Sequence, residues 1–165
     1  MHILASTSSS LDDLAEPLDL RQPVADVLVA SFSPSDLSGM AAAWGDGNPN
    51  LGLTQLADLR HPFSVDMWID KTARRAKVIL VRILGGHDRW SYGVGELSRV
   101  SRENGILLAF LPGECSQRDE RLEAASTVAP ETLSALLAFL RQGGPDNLRH
   151  AASFLKALAC GGALP

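Results

Sequence analysis

The amino-acid sequence predicts an α/β fold: a doubly wound, mainly parallel sheet of five strands followed by a C-terminal helical hairpin. Three observations carry this expectation. Apolar, β-branched runs at residues 25–32 and 77–84 are too continuous for strands with one wet face, and they suit strands covered on both sides. Between the runs lie segments with apolar residues at helical spacing, long enough to cross from one parallel strand to the next. Beyond residue 128 the strand signal stops and two leucine-rich helical stripes follow.

The first strand is expected at residues 2–5, opening into the hydroxyl cluster of Ser6, Thr7 and Ser8. Residues 11–23 hold one or two turns of helical pattern, but Pro17 and Pro23 interrupt it, so the region reads as irregular. The strand at 25–32 is followed by Ser33 as N-cap, Pro34 in the first helical position and Asp36 facing the helix dipole. That helix carries Leu37, Met40, Ala41 and Trp44 inward and stops at Gly45. Leu51, Leu53 and Leu56 mark the third strand.

The stretch from 59 to 86 then combines a helix start at Pro62 or Ser64, an apolar face of Val65, Trp68, Ile69, Thr72 and Ala76, the strand at 77–84, and Gly85-Gly86. Asp70 precedes Arg74 by one helical turn in the favourable orientation. A helix over 90–102 places Val94, Leu97 and Val100 inward, Asn104-Gly105 ends it, and residues 106–111 make the last strand. Leu133, Leu136, Leu137 and Leu140 line the first hairpin helix; Leu148, Ala151, Ala152, Leu155 and Leu158 line the second, after Gly143-Gly144. The expected division is an α/β sheet domain over 1–128 and a hairpin over 129–165 that leads into a continuation of a larger subunit. Strands alternating with helices at this spacing make the architecture flavodoxin-like or Rossmann-like.

A chain of 165 residues with 45% hydrophobic and 21% charged content fits one soluble domain. Its net charge of −4, with basic residues scattered, excludes a phosphate-backbone stripe, so no nucleic-acid partner is expected. Cys115 and Cys160 are far apart, which argues against a disulfide framework and for a reducing compartment, the cytoplasm. No apolar run reaches the roughly 20 residues that span a bilayer, so no membrane partner is expected.

In such sheets ligands bind outside the carboxyl ends of the strands. The expected rim there holds the 6–8 hydroxyls, Ser31, Ser33, Arg60, His61, Gly85, Gly86, His87 and residues 112–114, with Trp90 and Tyr92 close behind the double glycine. Hydroxyls, imidazoles, a guanidinium and open backbone N–H groups suit an anionic or amide-rich ligand. The ligand-binding candidates are therefore Ser33, Arg60, His61, Gly85, Gly86, His87, Trp90 and Tyr92. Each also has a plain structural role: His61 as a cap, the glycines as a sharp turn, the tryptophans as core. No catalytic residue is identified and no metal site is expected, because no two histidines share helical ligand spacing. GxxxxGK[ST] and GxSxG are both absent, and Gly93-Val94-Gly95 follows no strand directly, which discounts it as a dinucleotide motif.

The order LRHPFSVDMWIDKT, AKVILVRILGG and WSYG, with ILASTSSSLDDL, VLVASFSPSDLSGMAAAW, LLAFLPGE and LLAFLRQGGPDNLRHAASFL around it, resembles the N-terminal region of the cobaltochelatase large subunit. This is the CobN type, related to the large subunit of magnesium chelatase. The resemblance implies ATP-dependent insertion of cobalt into hydrogenobyrinic acid a,c-diamide on the aerobic route to cobalamin. It implies a corrinoid-precursor tetrapyrrole as substrate, ATPase subunits as partners that hold the ATP, and no cofactor in this chain. The family's subunit is many times longer, so the chain alone is expected to be an inactive fragment. The alternatives are a free-standing flavodoxin-like module for a small ligand, without catalysis, and a magnesium chelatase-type large subunit.

Overall fold

The computed structural model describes residues 16–113 and 118–161. Four parallel strands form its sheet: β1 (Val27–Ser31), β2 (Leu51–Gln55), β3 (Val78–Ile83) and β4 (Leu107–Pro112), in the order β2-β1-β3-β4. These are four of the five predicted strands; the fifth, at residues 2–5, lies outside the described residues. The chain leaves β1 toward β2 on one side and returns to β3 on the other, which creates a topological switch point between β1 and β3.

Among the described residues, six helices cover the sheet: α1 (Pro34–Trp44), α2 (Pro62–Lys71), α3 (Ser91–Asn104), α4 (Glu120–Ala125), α5 (Pro130–Gln142) and α6 (Gly144–Cys160). Because side chains alternate across a strand, each strand feeds two cores. Leu28, Ala30, Ile79, Val81, Leu108 and Phe110 pack under α2, α3 and α4, where Trp68, Ile69, Val94 and Leu97 meet them. Val27, Val29, Val78, Leu80, Ala109 and Leu111 pack under α1, α5 and α6, with Met40, Trp44, Leu136 and Leu155. The hairpin of α5 and α6 is therefore a cover for the second sheet face beside α1. All three tryptophans are buried.

The irregular segment before β1 is tied down chiefly at Gln22. Gln22 Oε1 accepts from Thr54 Oγ1 (2.7 Å) and from the Trp68 indole N–H (3.1 Å), and its carbonyl accepts from Thr72 Oγ1 (2.7 Å). Such bonds offset the cost of burying these polar groups.

Several local expectations are corrected. Ser33 occupies the N-cap position of α1 but its hydroxyl caps nothing, and Asp36 is drawn into an ion pair instead of serving the helix dipole alone. Ala41 is exposed; Leu37, Met40, Ala43 and Trp44 face the core. Of the two expected starts of α2, Pro62 is the one found, with His61 as its cap, and Ser64 is internal, its Oγ accepting from the Leu18 N–H at 2.7 Å. Arg74 falls in a 3-10 turn over Ala73–Arg75, which leaves its Asp70 pair stretched to 3.9 Å on an exposed surface. Trp90 belongs to a 3-10 turn, His87–Trp90, that precedes α3.

Candidate functional site

At the carboxyl edge, the parallel register aligns Gln55, Ser31, Arg82 and Leu111 in one row across the sheet. This row belongs to the face under α1, because Leu111 packs there. Arg82 interrupts an otherwise apolar strand, and its charge must be answered where it lies. Its Nη1 donates to Asp36 Oδ1 at 2.9 Å and its Nη2 to the Gly113 carbonyl at 2.7 Å. Ser31 Oγ donates to the other Asp36 oxygen at 2.8 Å and accepts from the Ser33 N–H at 3.0 Å. Side-chain exposure of Arg82 and Asp36 is 14% and 15%, so water screens the pair little. On this face the switch point is filled by the protein's own charges.

The opposite face of the same edge carries a cleft among the described residues. A cleft of about 230 Å³ lies between the end of β1 and the start of α3. Phe32, Val65 and Trp90 provide apolar wall, Arg60 and Arg89 bring guanidinium groups, and Asp88, Ser91 and Tyr92 complete the rim. Trp90 Nε1 donates to the Leu59 carbonyl at 2.9 Å, which ties the segment carrying Arg60 to the start of α3. Trp90 also meets Trp68 edge to face, with ring centroids 6.4 Å apart. Its ring lies over Gly93, where a Cβ atom would approach it to 2.2 Å. Gly93 is thus required by the indole wall of the cleft.

Tyr92 is 43% exposed, and its hydroxyl donates to Asp66 Oδ1 at 2.7 Å. That bond, with a smaller contribution from burial, pushes the phenol up to about 12. The Asp88 carboxyl is held below the usual range first by its hydrogen bond with His87 and then by Arg121, whose Nη1 donates to Oδ1 at 2.8 Å.

The sequence candidates divide accordingly. Arg60, Trp90 and Tyr92 line the cleft together. His61 lies just outside it, and its Nδ1 accepts from the Phe63 N–H at 3.0 Å as the cap of α2. Gly85 and Gly86 have φ of +91° and +79°, a turn that favours glycine. The backbone beside them already faces an anion: the His87 N–H donates to Asp119 Oδ2 at 3.3 Å, while Asp119 Oδ1 caps α4. His87 pairs with Asp88 at 3.2 Å, and Ser33 sits beyond the polar row on the α1 side. Residues 6–8 and 114 lie outside the described residues.

Sequence reasoning did not single out Arg82, Asp119 or Arg89. An arginine inside VILVRI was the available signal for the first; the other two are ordinary surface charges until the chain is folded. Among the described residues, no three His, Cys, Asp or Glu side chains are grouped to hold a metal ion, and no helix is long and apolar enough to cross a membrane.

No protein-family model matches the chain. Two curated relatives do. Aerobic cobaltochelatase subunit CobN of Sinorhizobium sp is 37% identical over 167 residues, covering 100% of this chain and 13% of the relative. Aerobic cobaltochelatase subunit CobN of Pseudomonas aeruginosa is 33% identical over 143 residues, covering 85% of the chain and 11% of the relative. Among solved structures, the catalytic subunit of cobaltochelatase from Mycobacterium tuberculosis matches with a TM-score of 0.63 and 26% identity, over 87% of this chain and 11% of its own. This chain therefore spans only about an eighth of the length of the curated relatives it matches. Similarity in sequence along its whole length, and in fold over 87% of it, places the chain in the CobN family of cobaltochelatase subunits, of which it corresponds to a segment.

Proposed function

We propose that this chain is part of the large subunit of an ATP-dependent cobaltochelatase, a ligase that inserts cobalt into hydrogenobyrinic acid a,c-diamide in aerobic cobalamin (vitamin B12) biosynthesis. The supporting observation is 37% identity to a CobN subunit across the entire chain. In this reading cobalt is a substrate, ATP is hydrolysed on separate ATPase subunits, and the assembly works in the cytoplasm. The absence of GxxxxGK[ST] from this sequence is consistent with that division of labour.

The segment's contribution is to the body that holds the tetrapyrrole. Its open cleft lies at the carboxyl edge of a doubly wound sheet, where such folds bind ligands, and it combines indole and phenol surface with guanidinium groups. Macrocycle contact, not metal ligation, is the role this donor set suits.

Titration of the 165-residue chain with hydrogenobyrinic acid a,c-diamide, followed by tryptophan fluorescence, tests the reading. Saturable quenching is expected, reduced in Trp90→Phe. Absence of binding removes this segment from the tetrapyrrole body. A reading frame that stops after Pro165 and yields a stable product would favour the free-standing module instead.

A further inference from the structure

We propose that the cleft between β1 and α3 recognises one carboxylate at the edge of a flat ring system, with Arg89 as its principal partner. This deepens the tetrapyrrole reading and rests on it for the identity of the ligand, but its geometry stands separately.

Size is the first consideration. A cleft of about 230 Å³ falls below the roughly 300–1,000 Å³ of pockets that enclose a drug-sized ligand, so it takes one edge of a large planar molecule, not the whole. Charge is the second. The Arg89 guanidinium lies 5.9 Å from the Phe32 ring centroid and forms no ion pair among the described residues, whereas Arg82 on the other face is answered by Asp36 and Gly113. A guanidinium placed over an aromatic face without a carboxylate partner has N–H groups left for a planar oxyanion. Ser91, which opens the 14-residue helix α3, lies on the same cleft.

The remaining charges select among oxyanions. Asp88 shares the rim and is bound to Arg121 and His87, so it stays ionised. A doubly charged phosphate meets more repulsion there than a singly charged carboxylate. The apolar wall of Phe32, Val65 and Trp90 then receives the body attached to the carboxylate. Gly85 contributes indirectly: the Arg89 stem lies against it, with Cβ and Cγ each 3.5 Å from where a Gly85 Cβ would stand.

Small soluble probes test the inference without the corrinoid. Naphthalene-2-carboxylate, naphthalene-2-carboxamide and 2-naphthyl phosphate are titrated into the 165-residue chain while the three indole N–H signals are followed by NMR. The carboxylate is expected to shift the Trp90 signal and leave that of Trp44, on the other sheet face, in place. The carboxamide is expected to bind about tenfold or more weakly, as is the carboxylate to Arg89→Ala, since a charge-assisted bond is lost. Arg89 is exposed, and unchanged thermal melting of the variant shows that the fold is intact.

Equal affinity for carboxamide and carboxylate, tighter binding of the phosphate, an unaffected Arg89→Ala variant, or no Trp90 shift with any probe each overturns the inference. None of these results bears on the corrinoid titration, whose failure would instead overturn the tetrapyrrole reading.

Discussion

The two faces of the sheet end differently at the same carboxyl edge. Under α1, a strand arginine is met by a helix carboxylate, a hydroxyl and a backbone carbonyl, and the switch point closes on itself. Under α2 and α3, Arg89 lies over the Phe32 ring at the rim of a cleft. Topology places a potential binding site at the β1/β3 edge. On the α1 face the strand arginine is consumed by a buried ion pair, whereas on the other face Arg89 lies over Phe32 with no ion pair among the described residues.

The largest way to disturb this contrast is to open the closed face. Arg82→Ala leaves Asp36 mostly buried without its cation, and unfolding by urea is expected to show a loss of about 3 kcal/mol or more. Replacing both residues, as in Arg82→Met with Asp36→Leu, should recover much of that loss if desolvation dominates the pair. A double variant as unstable as the single would show that Ser31 and Gly113 depend on the charges.

On the open face the corresponding change is Gly93→Ala, where the new methyl group must displace the Trp90 ring. Overpacking of this kind costs about 1–3 kcal/mol, and a changed Trp90 emission maximum is expected with it. Gly85→Ala comes next. Its φ of +91° penalises a side chain by about 1–2 kcal/mol, read as a lower urea midpoint, and the variant should weaken ligand binding through the Arg89 stem.

The smallest effect is also the cleanest to observe, because Tyr92 is the only tyrosine. Its phenolate absorbance is expected to rise with a midpoint near 12, and Asp66→Asn should bring that midpoint down toward 10. The folded-state value lies above the unfolded one, so the bond's contribution to stability is present below about pH 10 and fades as pH climbs toward 12. A wild-type midpoint at 10 would mean that the Asp66 bond does not persist in solution.

How far the sequence could be read depended on the range of the interactions involved. Residues 78–83 were recognisable as a buried strand because β-branched side chains in a continuous apolar run leave no wet face. The ends of α1 and α3 were recognisable because Gly45 and Gly105 take positive φ where the helices stop. Trp90 and Tyr92 could be placed near a cleft from their closeness to Gly85-Gly86. The double glycine itself was read as an open anion nest, yet Asp119, 32 residues beyond His87, already accepts from that backbone. No local pattern announces such a partner. Likewise Gly93, already discounted as part of a nucleotide motif, had no assigned role until the Trp90 ring was seen lying over it.

By itself, then, the sequence determined the alternation of strands and helices, the identity of the core faces and the family resemblance. These rest on short-range periodicity and on a linear order of segments. The tertiary structure alone decided which charges neutralise one another: Arg82 with Asp36, and Asp119 with the turn at His87. It also decided which of the rim candidates, Arg60, Trp90 and Tyr92, share one cleft with Arg89. Electrostatic pairing acts over a few ångströms between groups distant in the chain, and only the folded sheet brings those groups within reach.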